Sequence, residues 1–283
     1  MSFDRIRTNP GGAAVRAGVY ALVGAWTLIV VYPLVFLLQN SFKSRSEFVR
    51  GTVWALPESL NPANYGEVFA AGFLQYFFNS LVVVATSLVI LALAGGLAAY
   101  ALSRITFIGR AALYLIFVGG MTIPVHVTLV PVFSLTRLIG IYDTLLALIG
   151  PFVSFNLPVT VFILHAFMLD LPRSVEEAAF MDGASRWLIF RRIAFPMTRP
   201  AVVAVTILNA VILWNEFIFP LVLINSPRLR PLTLALWDFQ GQYATNIPVT
   251  MAALLLTALP IWIAYAMARE QLIEGIVLGA VKG

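Results

Sequence analysis

The 283-residue chain has no cysteine, only two histidines, and few charges: Asp, Glu, Lys and Arg together make up 11% of it. The missing cysteines exclude a disulfide framework, thiolate metal sites and a cysteine nucleophile. Two histidines leave little for a metal cluster, and no metal site is expected. Soluble domains are about one-quarter charged. A chain with less than half that density cannot cover a water-exposed surface, which excludes both a soluble globule and a disordered polymer. What is present instead is apolar: 60% of the residues are hydrophobic, and the mean hydropathy is +0.92. A net charge of +5 would suggest nucleic acid in a soluble protein. In a membrane protein it reflects basic cytoplasmic loops, so no nucleic-acid partner is expected.

The few charges are clustered. None lies between Arg16 and Lys43, Glu67 and Arg104, Arg110 and Arg137, or Asp143 and Asp170. The shortest of these gaps holds 26 residues, about 39 Å as helix against a hydrocarbon core of about 30 Å. A fifth apolar stretch runs from Pro200 to Ile224, interrupted only by Glu216, and a sixth runs from Pro248 to Ala268. The pattern predicts an all-α polytopic membrane protein, a single domain over 1–283, with six transmembrane helices near 17–39, 73–102, 111–136, 144–169, 200–224 and 248–268. With the N-terminus inside, twelve of the eighteen basic residues fall on the cytoplasmic side and six outside, which places both termini in the cytoplasm. Segment 170–199 is then a cytoplasmic loop and 269–283 a cytoplasmic tail.

Within the spans, Ala92 to Ala99 is a run of small residues that would let another helix approach closely. Pro124, Pro131 and Pro158 remove helix hydrogen bonds and predict bends.

The polar loop 170–199 is the most informative segment. Ser174 followed by Glu177 matches a capping box and predicts a helix opening at Ser174. Asp182-Gly183 predicts its end, because glycine readily takes the left-handed conformation. Trp187, Phe190 and Ala194 then form the apolar stripe of a second short helix. By pattern alone, any long inner loop can fold into two surface helices.

The residues themselves are more specific. Glu177-Ala178-Ala179, three residues, Gly183, nine residues, then Ile193-Ala194-Phe195-Pro196 resembles the EAA loop of ATP-binding-cassette (ABC) importer permeases. The one departure is Phe195, where leucine is usual. The fuller string from Glu176 to Val202 is similar to the carbohydrate-uptake, MalG-type branch. Trp214 to Leu221 resembles that branch's fifth-helix signature, and Gly275 to Gly283 resembles its C-terminal tail, with Ile276 and Leu278 as conservative departures.

The resemblance implies a type I importer permease fold, with the helix near Ser174 acting as a coupling helix. It implies ATPase-coupling roles for Glu177, Ala178, Ala179, Asp182, Gly183, Ile193 and Pro196, and a tail contact through Gly279, Lys282 and Gly283. The implied partners are a second homologous permease subunit, two ATPase subunits, an extracytoplasmic substrate-binding protein and the bilayer of a prokaryotic plasma membrane. No G-x-x-x-x-G-K-[ST] loop occurs, so ATP and Mg are expected on the ATPase chains and no cofactor on this one. The solute is read as a sugar. Glycerol-phosphate or a polyol is the alternative within the superfamily, and a stand-alone channel or an intramembrane enzyme is the remote one. Gly183-Ala184-Ser185 superficially resembles a Gly-x-Ser protease element, but it lies in a charged loop with no visible activating partner, and no catalytic residue is assigned.

Polar groups at membrane depth are functional candidates. Glu216 lies about 24 Å along a helix counted from Pro200, near the outer interface. A hydrogen-bonded structural role and a pathway role both stand open for it. Asn215 and Trp214 beside it could bond to and stack on a sugar. His126, in the outer half of the third stretch, and Asn79, near the start of the second, complete the candidate pathway set. His165 is read as an interfacial residue.

Overall fold

A computed structural model describes the backbone of residues 10–242 and 246–280, and the side chains of 15–237, 239–241 and 246–267. Among the described residues the chain is helical without strands. In chain order the helices are α1 (Pro10–Ser41), α2 (Arg45–Arg50), α3 (Ala63–Ala70), α4 (Phe73–Arg104), α5 (Arg110–Gly120), α6 (Leu129–Leu138) and α7 (Leu146–Asp170). There follow α8 (Arg173–Met181), α9 (Arg186–Ile189), α10 (Phe195–Met197), α11 (Arg199–Trp214), α12 (Ile218–Leu223), α13 (Leu232–Gln242) and α14 (Ile247–Ala280). Among the described residues, four helices are long and apolar enough to cross a bilayer, and the number rises to six when two bent pairs each count as one span.

Two compact units are distinguished, 1–71 with 239–256, and 72–238 with 257–283. In the first, α1 is apolar on every face and exposes its large side chains, as a helix facing lipid or another apolar surface does. It leads into a small polar cap. Ser44 opens α2 with a capping box to Glu47, and the Asn64 amide donates to the carbonyls of Ser41 and Lys43. Lys43, 1% exposed, directs its ammonium to the carbonyls of Thr52 and Val53.

The second unit is built on α4 packed along α7, with α5 and α11 against them. The small-residue run in α4 permits this contact. Gly95 faces Thr160 of α7, Gly96 faces Phe195, and both glycines are buried. One apolar core joins α4, α7 and α11 to the segment between α8 and α11, through Ala99, Tyr100, Leu164, Met168, Ile189, Phe190, Ala194, Ala201 and Val205.

Two of the predicted spans differ from the structure. The third stretch is not one helix: α5 stops at Gly120, Pro124 is extended, a 3-10 turn covers Val125–Thr128, and α5 and the segment Val125–Leu138 lie at 95°. Pro124 has no N–H and disfavours a helical Ile123, so the helix cannot run through. The fifth stretch ends at Trp214 rather than continuing to Ile224, with a short separate α12 beyond it. Pro220 cannot donate to the Glu216 carbonyl, which instead accepts from the Thr233 hydroxyl at 2.8 Å. On its other side α11 meets the preceding helical segment, Arg186–Met197, at 71°. By contrast, α7 continues through both Pro151 and Pro158.

Candidate coupling loop and pathway residues

Helix α8 begins after Pro172, whose extended backbone is the N-cap and carries no side-chain cap bond. Ser174 is therefore the second helical residue, and the expected Ser174–Glu177 capping box is absent. Proline at the boundary sets the start of the helix by its own backbone restriction, leaving Ser174 and Glu177 exposed. The far end matches the prediction. Gly183 has φ +82°, its N–H bonds to the Phe180 carbonyl at 3.0 Å, and the Ala184 N–H bonds to that of Ala179 at 2.9 Å. That pair of bonds is a Schellman closure, which only a left-handed residue at Gly183 permits without strain.

A hydroxyl cap does occur in this loop, eleven residues beyond Ser174. Ser185 accepts from the Leu188 N–H and starts α9. A π-helical turn over Phe190–Ala194 follows. Phe190 and Ala194 of the expected stripe are buried, whereas Trp187 remains exposed and stacks on Phe190.

The outer surface of the loop combines charge with apolar area. Glu177, Ala178, Asp182, Gly183 and Pro196 are exposed, while Ala179 and Ile193 are half-buried. Val175, Phe180, Met181 and Trp187 also present apolar surface. Glu176, one residue before the EAA glutamate, is buried instead. Its Oε1 lies 3.0 Å from Arg104 Nε at the end of α4. Sequence reading passed over this residue because adjacent glutamates look alike until the helix face is known.

The pathway candidates fall into two groups. Three are engaged inside the fold. Asn79, 5% exposed, donates to the carbonyls of Arg228 and Arg230, and neighbouring Ser80 accepts from the Leu232 N–H. Together they pin the segment before α13 to α4. Trp214 is buried edge-on to Phe77 and donates its indole N–H to the Thr257 carbonyl at 3.1 Å. Glu216 Oε1 accepts from the N–H groups of Ile218 and Phe219 at 2.8 and 3.1 Å, which caps α12 at its positive end. The other two are exposed: His126 in the 3-10 turn, and Asn215, whose amide bonds back to Val211. His165, expected at an interface, is 9% exposed and packs its ring 4.6 Å from that of Tyr114.

Two polar arrangements were not foreseen. Between α7 and α11, the Asn209 amide donates to Thr160 Oγ1 at 2.8 Å, and Thr160 donates to the Asn156 carbonyl at 2.7 Å, all buried. Before α7, Asp143 (φ +59°) accepts from the N–H groups of Asn225 and Ser226 and from the Ser226 hydroxyl. The Ser226 bonds hold its carboxyl below the usual range. Neither arrangement has a spacing signature in the sequence, because their partners are 49 and about 83 residues apart.

Residues 91–270 match the family described as the binding-protein-dependent transport system inner membrane component. The chain belongs to that family. It is 42% identical over 264 residues to a putative ABC transporter permease protein of Caldicellulosiruptor, covering 93% of this chain and 96% of the relative. It is 33% identical to the diacetylchitobiose uptake system permease protein of Streptomyces coelicolor, covering 93% and 88%. The fold resembles a chain of a bacterial ABC transporter involved in alginate import, with a TM-score of 0.79 at 23% identity, covering 93% of this chain and 98% of that one. The permease is thus an all-α, multi-pass inner-membrane transport subunit rather than an enzyme.

The tail residues Lys282 and Gly283 lie outside the described residues. Gly279 falls within α14, which runs on to Ala280, so the segment after 268 begins as helix rather than as a loose tail.

Proposed function

We propose that the permease forms part of the translocation pathway of an ATP-driven sugar importer and is coupled to an ATPase through α8. The observation that carries this reading is the exposed EAA helix. It is closed by a Schellman turn at Gly183 and presents Glu177 beside Phe180 and Met181. A short helix with one exposed glutamate and an apolar rim suits insertion into a cleft on a soluble partner. The sugar assignment is supported by the diacetylchitobiose and alginate relatives. The working assembly is this chain with a second permease subunit, two ATPase subunits carrying ATP and Mg, and an extracytoplasmic binding protein, with both termini cytoplasmic. Among the pathway candidates, His126 and Asn215 retain exposed side chains and are assigned to the solute-facing surface.

The role of Glu177 is testable directly, since no helix cap competes with it. Glu177→Gln, assayed in the reconstituted importer, is expected to weaken ATPase recruitment and uptake together. Truncating a desolvated interfacial charge costs about 2–5 kcal/mol. Normal recruitment by that variant would remove Glu177 from the contact. Uptake by liposomes containing this chain alone would refute the importer-subunit reading.

A further inference from the structure

The coupling role of α8 leaves a mechanical question. A nine-residue helix connected by flanking turns must pass its displacement to a membrane span. Its backbone packs on the α9 segment and π turn that follow it. Its polar contact to α4 runs through Arg104. The side chains of Arg104 and Glu176 are 4% and 10% exposed. Arg104 Nη2 also donates to the Leu171 carbonyl, the C-cap of α7, at 2.7 Å. One guanidinium therefore joins the end of α4, the end of α7 and the first turn of α8.

The placement is electrostatically consistent. Arg104 sits in the last turn of α4, where the carbonyls are uncompensated, and Glu176 in the first turn of α8, where the N–H groups are. Each charge compensates its own helix end and faces the other. The Nε–H of Arg104 does not point along the 3.0 Å line to Oε1, so the contact is an ion pair rather than an aligned hydrogen bond. A buried pair of this kind adds little net stability over apolar replacements, whereas removing one partner alone is costly. That asymmetry favours a geometric role over a stabilising one.

We propose that Arg104 and Glu176 are a positioning pair that makes α8 and the adjoining end of α4 move as one body, so that displacement of the coupling helix is delivered to α4. This rests on the reading of α8 as the ATPase-docking helix.

The test uses the complete reconstituted importer. Arg104→Met with Glu176→Met removes both charges without leaving one stranded. The double variant is expected to assemble with basal ATPase activity near wild type, while uptake per ATP hydrolysed falls about tenfold, within the range by which residues along a coupling route modulate it. Wild-type uptake per ATP would overturn the proposal. Because the chain has no cysteine, spin labels on Leu97→Cys and Met181→Cys, both at exposed positions, report the α4–α8 distance directly. With the pair intact, that distance should be the same in nucleotide-free and ATP-trapped complexes, and Arg104→Lys should broaden it. A shift between the two states in the otherwise unaltered complex would overturn the proposal even if the double variant failed to assemble. Glu177→Gln and Phe180→Ala run in parallel separate the two readings. If they leave ATPase recruitment intact, the docking assignment of α8 fails. If they abolish it while the double methionine variant couples normally, only the Arg104–Glu176 link fails.

Discussion

Gly95→Ala should loosen the packing of α4 on α7, and the structure allows its size to be reasoned out. A Cβ at Gly95 would lie 2.6 Å from Thr160 Cγ2 and 3.4 Å from Thr160 Cβ. Carbon atoms in good contact are about 3.5–4.0 Å apart, so the methyl overlap approaches an ångström. Thr160 cannot simply rotate away, because its hydroxyl both donates to Asn156 and accepts from Asn209. Breaking those buried bonds costs about 1–3 kcal/mol, and moving the helices apart costs a similar amount in lost packing. Against this stands a gain of about 1 kcal/mol from the better helix propensity of alanine. The net expectation is a loss of about 1–2 kcal/mol, read from denaturant unfolding of the permease in mixed micelles. Thr160→Ser deletes the offending methyl and keeps the hydroxyl, so adding it should recover most of the loss in a double-mutant cycle. Gly24→Ala, with nothing within 4 Å of its new Cβ, is the control and should be neutral or slightly stabilising. The reasoning is refuted if Gly95→Ala unfolds like Gly24→Ala, or if Thr160→Ser gives no recovery.

Ser174→Ala should change stability and transport little, within about 0.5 kcal/mol, because Ser174 caps nothing; a large loss of helicity in α8 would contradict the Pro172 start. Asn79→Ala removes two part-buried hydrogen bonds to the Arg228 and Arg230 carbonyls and should speed proteolysis and amide exchange around 228–232, at a cost of about 1–2 kcal/mol; unchanged protection would show that other contacts hold that segment. The Asp143 carboxyl is held below its usual range by Ser226, so its contribution is full above the unfolded-state value, about pH 4, and fades as pH falls through the lower folded value. Exchange at Asn225 and Ser226, corrected for intrinsic rates, should therefore be constant from pH 5 to 8 and rise only in stronger acid, and Asp143→Asn should abolish that acid dependence.

Much of this protein was legible without coordinates. Charge-free gaps longer than a bilayer is thick point to helices across it, because an unpaired backbone in hydrocarbon is too costly, and only the third gap proved to hold a sharply bent pair instead of one helix. The Asp182-Gly183 stop was equally readable, since a left-handed closure depends on a single residue type. The EAA spacing marked the loop because its residues are close in sequence. Where several local signals competed, the structure decided between them. Ser174 with Glu177 read as a capping box, yet the backbone restriction at Pro172 set the helix start and the box never formed. Pro124 broke its helix, while Pro151 and Pro158 did not. A proline inside a helix removes one hydrogen bond, and its spacing in the sequence does not tell which helix survives that loss.

What the sequence could not supply were the long-range partners. Asn79, Trp214 and Glu216 stood out as polar residues in apolar stretches, yet their bonds go to carbonyls and N–H groups of the fold itself. Arg104 and Glu176 lie 72 residues apart, and nothing along the chain separates Glu176 from exposed Glu177 beside it. A helix turns by about 100° per residue, so adjacent identical side chains face different surroundings. Composition and spacing determined that this chain crosses a membrane and carries a loop with the EAA spacing. Only tertiary packing decided which of its two neighbouring glutamates faces outward, and which is held against α4.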